Sequence, residues 1–199
     1  QPMAETHTHS DAAIRTQALE ELLVEKGLIS SDTIDRVVKD YEEDLGPMCG
    51  AQVVAKAWTD PDFKDRLLED GRVAVSELGF IERQGAELMV VENTADVHNV
   101  VVCTLCSCYP WAVLGLPPTW YKSYAYRARA VREPRAVLRE FGLKLQDSVE
   151  VRVWDSNSDI RYMVLPKRPA DTEGMSEEEL AEIVTRDSMI GVGEAGRAR

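Results

Sequence analysis

The sequence predicts an α+β fold with a helical N-terminal extension. Two amphipathic helical stretches precede residue 46. From residue 50 short helices mix with strand-like segments. Val149, Val151 and Val153 alternate with polar residues, as in a half-buried strand.

The elements follow in chain order. Residues 1–10 read as a flexible tail. In "SDAAIRTQALEELLVEKGLI" Ile14, Ala18 and Leu22, with Leu19 and Leu23, recur at helical spacing. Ser10 is its expected cap and Gly27 its stop. "SSDTIDRVVKDYEEDLGP" predicts a second helix, with Ile34, Val37, Val38, Tyr41 and Leu45 on one side, ending at Gly46-Pro47. Residues 11–46 thus form a helical arm, and the run Glu42, Glu43, Asp44 reads as solvated helix surface. "GAQVVAKAWTD", "DPDFKDRLLEDG" and "RVAVSELGF" are three short helices, the second with Pro61 in its first turn. "AELMVVEN" and "HNVVV" are strands, and the second leads straight into a cysteine cluster. "EPRAVLREFG" is a short helix. "SVEVRVWDSNSDIRYMVLP" predicts a hairpin turning at "DSNSD". "SEEELAEIVTRDSMIG" is a terminal helix, with Ser176 and Glu179 at capping-box spacing. Residues 47–193 make the main domain, and 194–199 a loose C-terminal tail.

Composition narrows the function classes. The 199-residue chain carries a net charge of −12, so it lacks the cationic surface of a general nucleic-acid or anionic-membrane binder, although a local basic patch is compatible with that total. No run approaches the ~20 apolar residues of a membrane span, and the N-terminus has no apolar signal core. A cytoplasmic location is the simplest expectation. The only histidines are His7, His9 and His98, the first two in the tail. A histidine-based triad or a His-rich zinc site would have to use His98.

The chemistry concentrates in "VCTLCSCYPW", which holds three of the four cysteines, Cys103, Cys106 and Cys108. A reducing compartment disfavours disulfides among them. Structural zinc wants a fourth ligand and wider spacing than Cys-Ser-Cys. If "HNVVV" stays extended to Cys103, His98 faces the side away from that cysteine, so packing is its expected role. Cys49 reads as a small buried filler. The sharper reading is a transition-metal site that uses the main chain. The peptide nitrogens of Ser107 and Cys108 lie between the thiolates of Cys106 and Cys108, so four donors can share one plane. Cys103 then binds from below, and a sixth position stays open. Thiolates and anionic amides suit a small trivalent metal, and an open position permits Lewis-acid chemistry.

This motif resembles the metal-binding claw of the nitrile hydratase α-subunit family. The resemblance extends through "KAWTDPDFKDRLLEDG", "LMVVENTADVHNVVVCTLCSCYPW", "GLPPTWYKS", "VREPRAVLREFG", "VRVWDS" and "IVTRDSMIGVG", over roughly residues 13 to 193. It implies a layered α-β-β-α domain carrying the claw. It also implies a non-corrin Co(III) ion, one per chain, held by Cys103, Cys106, Cys108 and the amides of Ser107 and Cys108. Thr104, with Tyr109 after the claw, matches the cobalt rather than the iron type. The resemblance further implies Cys106 as sulfinate and Cys108 as sulfenate, rungs of the thiol oxidation ladder. Cys108 and Gln84 are then the catalytic residues, Gln84 supporting the site, and Trp111 and Tyr109 line the substrate pocket.

The implied reaction hydrates a nitrile to an amide, with the nucleophilic oxygen coming from water or from the Cys108 sulfenate. Negative charge at the claw needs cationic partners, and the motif contains no arginine. The resemblance places those arginines on a β subunit in an αβ or α2β2 assembly, and it implies a cobalt-insertion activator protein. Two other functions fit the residues: the catalytic subunit of a thiocyanate hydrolase, and a metal scaffold or metallochaperone without turnover.

Overall fold

Proline and short polar caps start most of the helices, and the segments between them are brief. The computed structural model describes residues 11–39, 45–80 and 85–196. The chain divides into two compact units, residues 1–44 and 45–199. In the first, α1 (Asp11–Glu25) and α2 (Ser31–Lys39) form from the two amphipathic stretches. Gly27 stops α1 as expected. Its φ of 66° lets its N–H reach the Val24 carbonyl while the Leu28 N–H reaches that of Leu23. Ile14, Leu19, Leu22 and Leu28 remain exposed. The tail, the Ser10 cap, the acidic run 42–44 and Gln84 lie outside the described residues.

The second unit begins with α3 (Pro47–Thr59), α4 (Pro61–Glu69) and α5 (Gly71–Glu77). Prolines occupy the first turns of α3 and α4, where no N–H is needed. Asp60 and Asp70 cap α4 and α5 by accepting from the N–H groups of Phe63 and Val73. Strands β1 (Glu87–Glu92) and β2 (Val97–Val102) follow, then α6 (Trp111–Leu114), α7 (Tyr124–Arg132), α8 (Pro134–Glu140), β3 (Glu150–Asp155) and β4 (Ile160–Leu165). A 3-10 turn at Ala170–Thr172 leads to α9 (Glu177–Glu182) and α10 (Arg186–Ile190).

The hairpin expected over 149–165 does not form. Its two strands exist, but β3 pairs in parallel with β2 and β4 in parallel with β1, giving two separate two-stranded sheets. The cause is burial. β2, apart from His98 and Asn99, and β4, apart from Arg161, are apolar and largely buried on both faces, the pattern of parallel strands, whereas a two-stranded hairpin leaves one face wet. The four residues between β3 and β4 therefore carry the chain from one sheet to the other.

Two further expectations change. The single terminal helix is two, because Thr185 caps α10 by accepting from the Ser188 N–H and so ends the preceding turn. Ser176 and Glu179 do form a reciprocal capping box at α9. The C-terminal tail does not loosen at residue 194: Ala195 is buried and the Gly196 N–H donates to the Ile183 carbonyl. Helix α7 was not expected, since its arginine-rich sequence shows little apolar periodicity; Ser123 caps it by accepting from the Tyr126 N–H. One core joins α3, α4, the four strands, α6, α7 and α10. Cys49 sits buried on α3, as the filler reading requires.

Candidate metal centre

Strand β2 ends at Val102, and the next residue, Cys103, is fully buried. The chain then leaves the core, turns through Thr104 and Leu105, and returns at Pro110 to start α6. This loop gathers the three sulfurs. Sγ of Cys106 lies 3.3 Å from that of Cys103 and 3.1 Å from that of Cys108. The three Sγ atoms lie within 4.8 Å of one another. The Cys106 N–H donates to the Cys103 sulfur at 3.3 Å.

The neighbouring thiols of Cys108 and Cys103 pull the Cys106 thiol down to about 7, aided by the N–H groups of Cys108 and Ser107. Burial, with the Cys106 contact, pushes Cys108 up to about 12, and Arg161 opposes the rise. The loop thus favours a thiolate at Cys106 more than at Cys108. The N–H groups of Ser107 and Cys108, the amides expected as ligands, favour the Cys106 thiolate. A set of three soft sulfurs with these amides beside one of them fits a small transition metal of high charge. No other cluster of three His, Cys, Asp or Glu ligand atoms occurs among the described residues.

Surrounding residues hold the loop. Asp155, at the end of β3, accepts from the Thr104 N–H at 2.9 Å and from its hydroxyl at 2.6 Å. The parallel register puts Asp155 opposite Val102, one residue before the first cysteine. The Tyr121 hydroxyl donates to the Cys108 carbonyl at 2.9 Å. Arg161, on β4, is 9% exposed and donates to the Asn157 carbonyl. The motif itself has no arginine, but the fold brings this one close enough to act on Cys108. Sequence reasoning missed Asp155, Tyr121 and Arg161 as neighbours of the claw. Reading β3 and β4 as a hairpin placed the first and last at a distant turn; the apolar continuity of β2 and β4 was the available signal.

The remaining expected site residues separate. Trp111 is half-buried at the start of α6. Tyr109 is 1% exposed and packs edge-on against Tyr121 at 5.1 Å. Burial raises its phenol well above the ordinary tyrosine value and keeps it protonated. His98 is buried away from the sulfurs: its Nε2 donates to the Gly191 carbonyl at 2.7 Å, and its Nδ1 faces the Asn93 amide.

Fold and donor set together define a protein that presents a transition metal in a cysteine loop at the end of a parallel strand. The family model described as "Nitrile hydratase, alpha chain" matches residues 10–193, and the chain belongs to that family. It is 60% identical over 187 residues to a nitrile hydratase subunit alpha of Rhodococcus sp, covering 94% of each chain. It is 58% identical over 185 residues to the low-molecular weight cobalt-containing nitrile hydratase subunit alpha of Rhodococcus rhodochrous, covering 93% of this chain and 89% of that one. Identity is 47% with the thiocyanate hydrolase subunit gamma of Thiobacillus thioparus, over 92% of this chain and 79% of the relative. Among solved structures, a double mutant of the Fe-type nitrile hydratase from Comamonas testosteroni Ni1 superposes with a TM-score of 0.89 at 45% identity, covering 94% of this chain and 92% of that one.

Proposed function

We propose that this chain is the α subunit of a cobalt nitrile hydratase, a nitrile hydro-lyase. The observation that carries the reading is the trio of Cys103, Cys106 and Cys108 sulfurs gathered in one loop, with the Ser107 and Cys108 amides beside Cys106. Those five groups would hold one non-corrin cobalt per chain. Bound Co(III) supplies the Lewis acidity that makes a nitrile carbon open to attack. The chain's residues do the rest. Asp155 and Tyr121 fix the two ends of the claw loop through Thr104 and the Cys108 carbonyl. Trp111 and Tyr109 line the nitrile pocket, Tyr109 from its buried side. Cys106 would be carried as a sulfinate and Cys108 as a sulfenate, four- and two-electron oxidations of the thiolates that need an oxidant such as dioxygen during maturation, and Gln84 supports the site. Water adds across the carbon–nitrogen triple bond, and tautomerisation leaves the amide. The oxidised sulfurs carry charge that Arg161 shares with arginines of a β subunit. The complex is an αβ or α2β2 assembly in the cytoplasm, loaded by a cobalt-insertion activator protein.

The thiocyanate hydrolase reading has weaker support, since the relative of that name is less similar. The test is the complex of this chain with its β subunit, expressed with cobalt. The expected result is about one cobalt per chain, inert to chelators as low-spin Co(III) is, with turnover of nitriles above thiocyanate. Stoichiometric zinc would sink the metal assignment. Freely exchanging metal without turnover would favour a metallochaperone, and a thiocyanate preference the hydrolase.

A further inference from the structure

At the opposite end of β2 from the claw lies a cleft of about 450 Å³. Asn93, His98, Lys144, Lys167, Arg168 and Glu194 are among its lining residues. His98 and Cys103 are five residues apart along an extended strand, about 17 Å, so the cleft is separate from the sulfur cluster. Its volume is that of a small-molecule site.

The charges are out of balance. Among the described residues, Lys144 and Lys167 make no ion pair. The Arg168 guanidinium is held by neutral acceptors alone: Nε by the Thr172 hydroxyl at 3.0 Å, Nη1 by the Trp58 carbonyl at 3.1 Å and Nη2 by the Thr172 carbonyl at 2.9 Å. Glu194 is the only carboxylate in the lining. Three cations against one anion leave two positive charges in a chain whose total is −12. Lys144 also borders a second cavity of about 220 Å³, with Arg135 and Arg139. The lining also includes the apolar residues Leu145, Val149, Pro166 and Pro169. Asn93 and His98 line it too, and their polar atoms bond each other and the Gly191 carbonyl.

We propose that this cleft binds a small aliphatic dicarboxylate, its two carboxylates held by Lys144 and Lys167 and its methylene body against the apolar walls. A dianion matches the excess charge, and the apolar residues in the same lining suit a short hydrocarbon body. Arg168 adds long-range attraction without leaving its structural bonds.

Glutarate titrated calorimetrically into the assembled α–β complex tests this, with glutaramide, its uncharged counterpart, as control. Saturable glutarate binding is expected with a dissociation constant on the order of 1 mM, falling off as salt is added. Glutaramide should bind at least ~tenfold more weakly. The Lys144→Gln/Lys167→Gln complex should lose about tenfold or more in affinity, while Glu194→Gln should bind about threefold more tightly. Both variants should keep the wild-type melting temperature and cobalt content. Metal-free complex should bind glutarate as well as loaded complex does, which separates this site from the claw and its fate from that of the proposed activity. Absence of saturable binding, equal binding of glutaramide, undiminished binding by the lysine variant, or binding that requires cobalt would each overturn the proposal.

Discussion

Cys106 and Cys108 sit two residues apart yet carry opposite proton affinities, because one is exposed between two sulfurs and the other is partly buried. Each would donate its thiolate to the proposed chelate. Cys106→Ala or Cys108→Ala should abolish both cobalt retention and nitrile hydration, read by elemental analysis and turnover of the purified complex; a Cys108→Ala complex with bound cobalt and normal activity would refute the claw. Thr104 acts differently, since its hydroxyl ends on Asp155 rather than on a sulfur. Thr104→Val removes one exposed hydrogen bond to a carboxylate, so a loss of about 1 kcal/mol in the unfolding of the metal-free complex is expected, with faster loss of cobalt to chelators at elevated temperature. His98 sets a pH dependence. Burial lowers its pKa below the ordinary 6.5, so the unfolded chain binds the proton more readily than the folded one. This contribution to stability is flat above 6.5 and declines as pH falls below it. Comparing thermal melts between about pH 7 and pH 5, His98→Gln should show a shallower fall than wild type.

Among the elements, the parallel pairing of β2 with β3 and of β1 with β4 decides what surrounds the loop. It delivers Asp155 and Arg161 from strands that a hairpin would have turned elsewhere. The turn after α10 shows how tightly these pieces fit. Gly191 has φ 88°, and a Cβ there would collide with the Asn99 carbonyl oxygen on β2. Gly191→Ala should therefore cost more than ~3 kcal/mol and sharply lower the yield of soluble complex. Gly142, at the end of α8, has the same φ of 88° with open space around it. Gly142→Ala should cost only the left-handed penalty, about 1 to 2 kcal/mol, measured as a small drop in melting temperature. If both variants behaved alike, close packing between α10 and β2 would not be the cause.

At the scale of the whole molecule, exposed apolar side chains mark surfaces that water alone does not suit. Leu105 at the claw tip is 85% exposed and Tyr124, beneath the Arg127 guanidinium, 83%. In the first unit Ile14, Leu19, Leu22 and Leu28 stand out from α1 and the turn after it. Scattered apolar residues are ordinary, but a helix whose apolar positions remain uncovered marks a binding face. Expressed without a β subunit, the chain should aggregate or associate in size-exclusion chromatography; co-expressed, it should elute as a defined complex. Deleting residues 11–39 should weaken that complex while leaving the second unit's own fold intact by circular dichroism. An isolated chain that stays monomeric and hydrates nitriles would contradict the subunit assignment. No helix among the described residues is long and apolar enough to cross a membrane.

The claw was legible in the sequence because its donors are local. Cys103, Cys106 and Cys108 span six residues, and chain connectivity alone keeps their sulfurs together, so spacing and residue type were enough to expect a transition-metal cluster there, while the cobalt type came from the family resemblance. Helices with strong end signals were legible for the same reason: Pro61, Ser176 and Gly27 act within a single turn. What only the tertiary structure decided is which strand lies beside which. Alternation along β3 and the apolar run of β4 announce strands but are silent about partners, and the choice of β2 and β1 rests on burying β2 and β4 on both faces at once. Asp155 is 51 residues from Thr104 in the chain, and that contact exists because the parallel register ends both strands at the same level. The dicarboxylate cleft was equally hidden. Lys144, Lys167 and Glu194 come from separate loops, and only the closed fold brings their charges around one cavity.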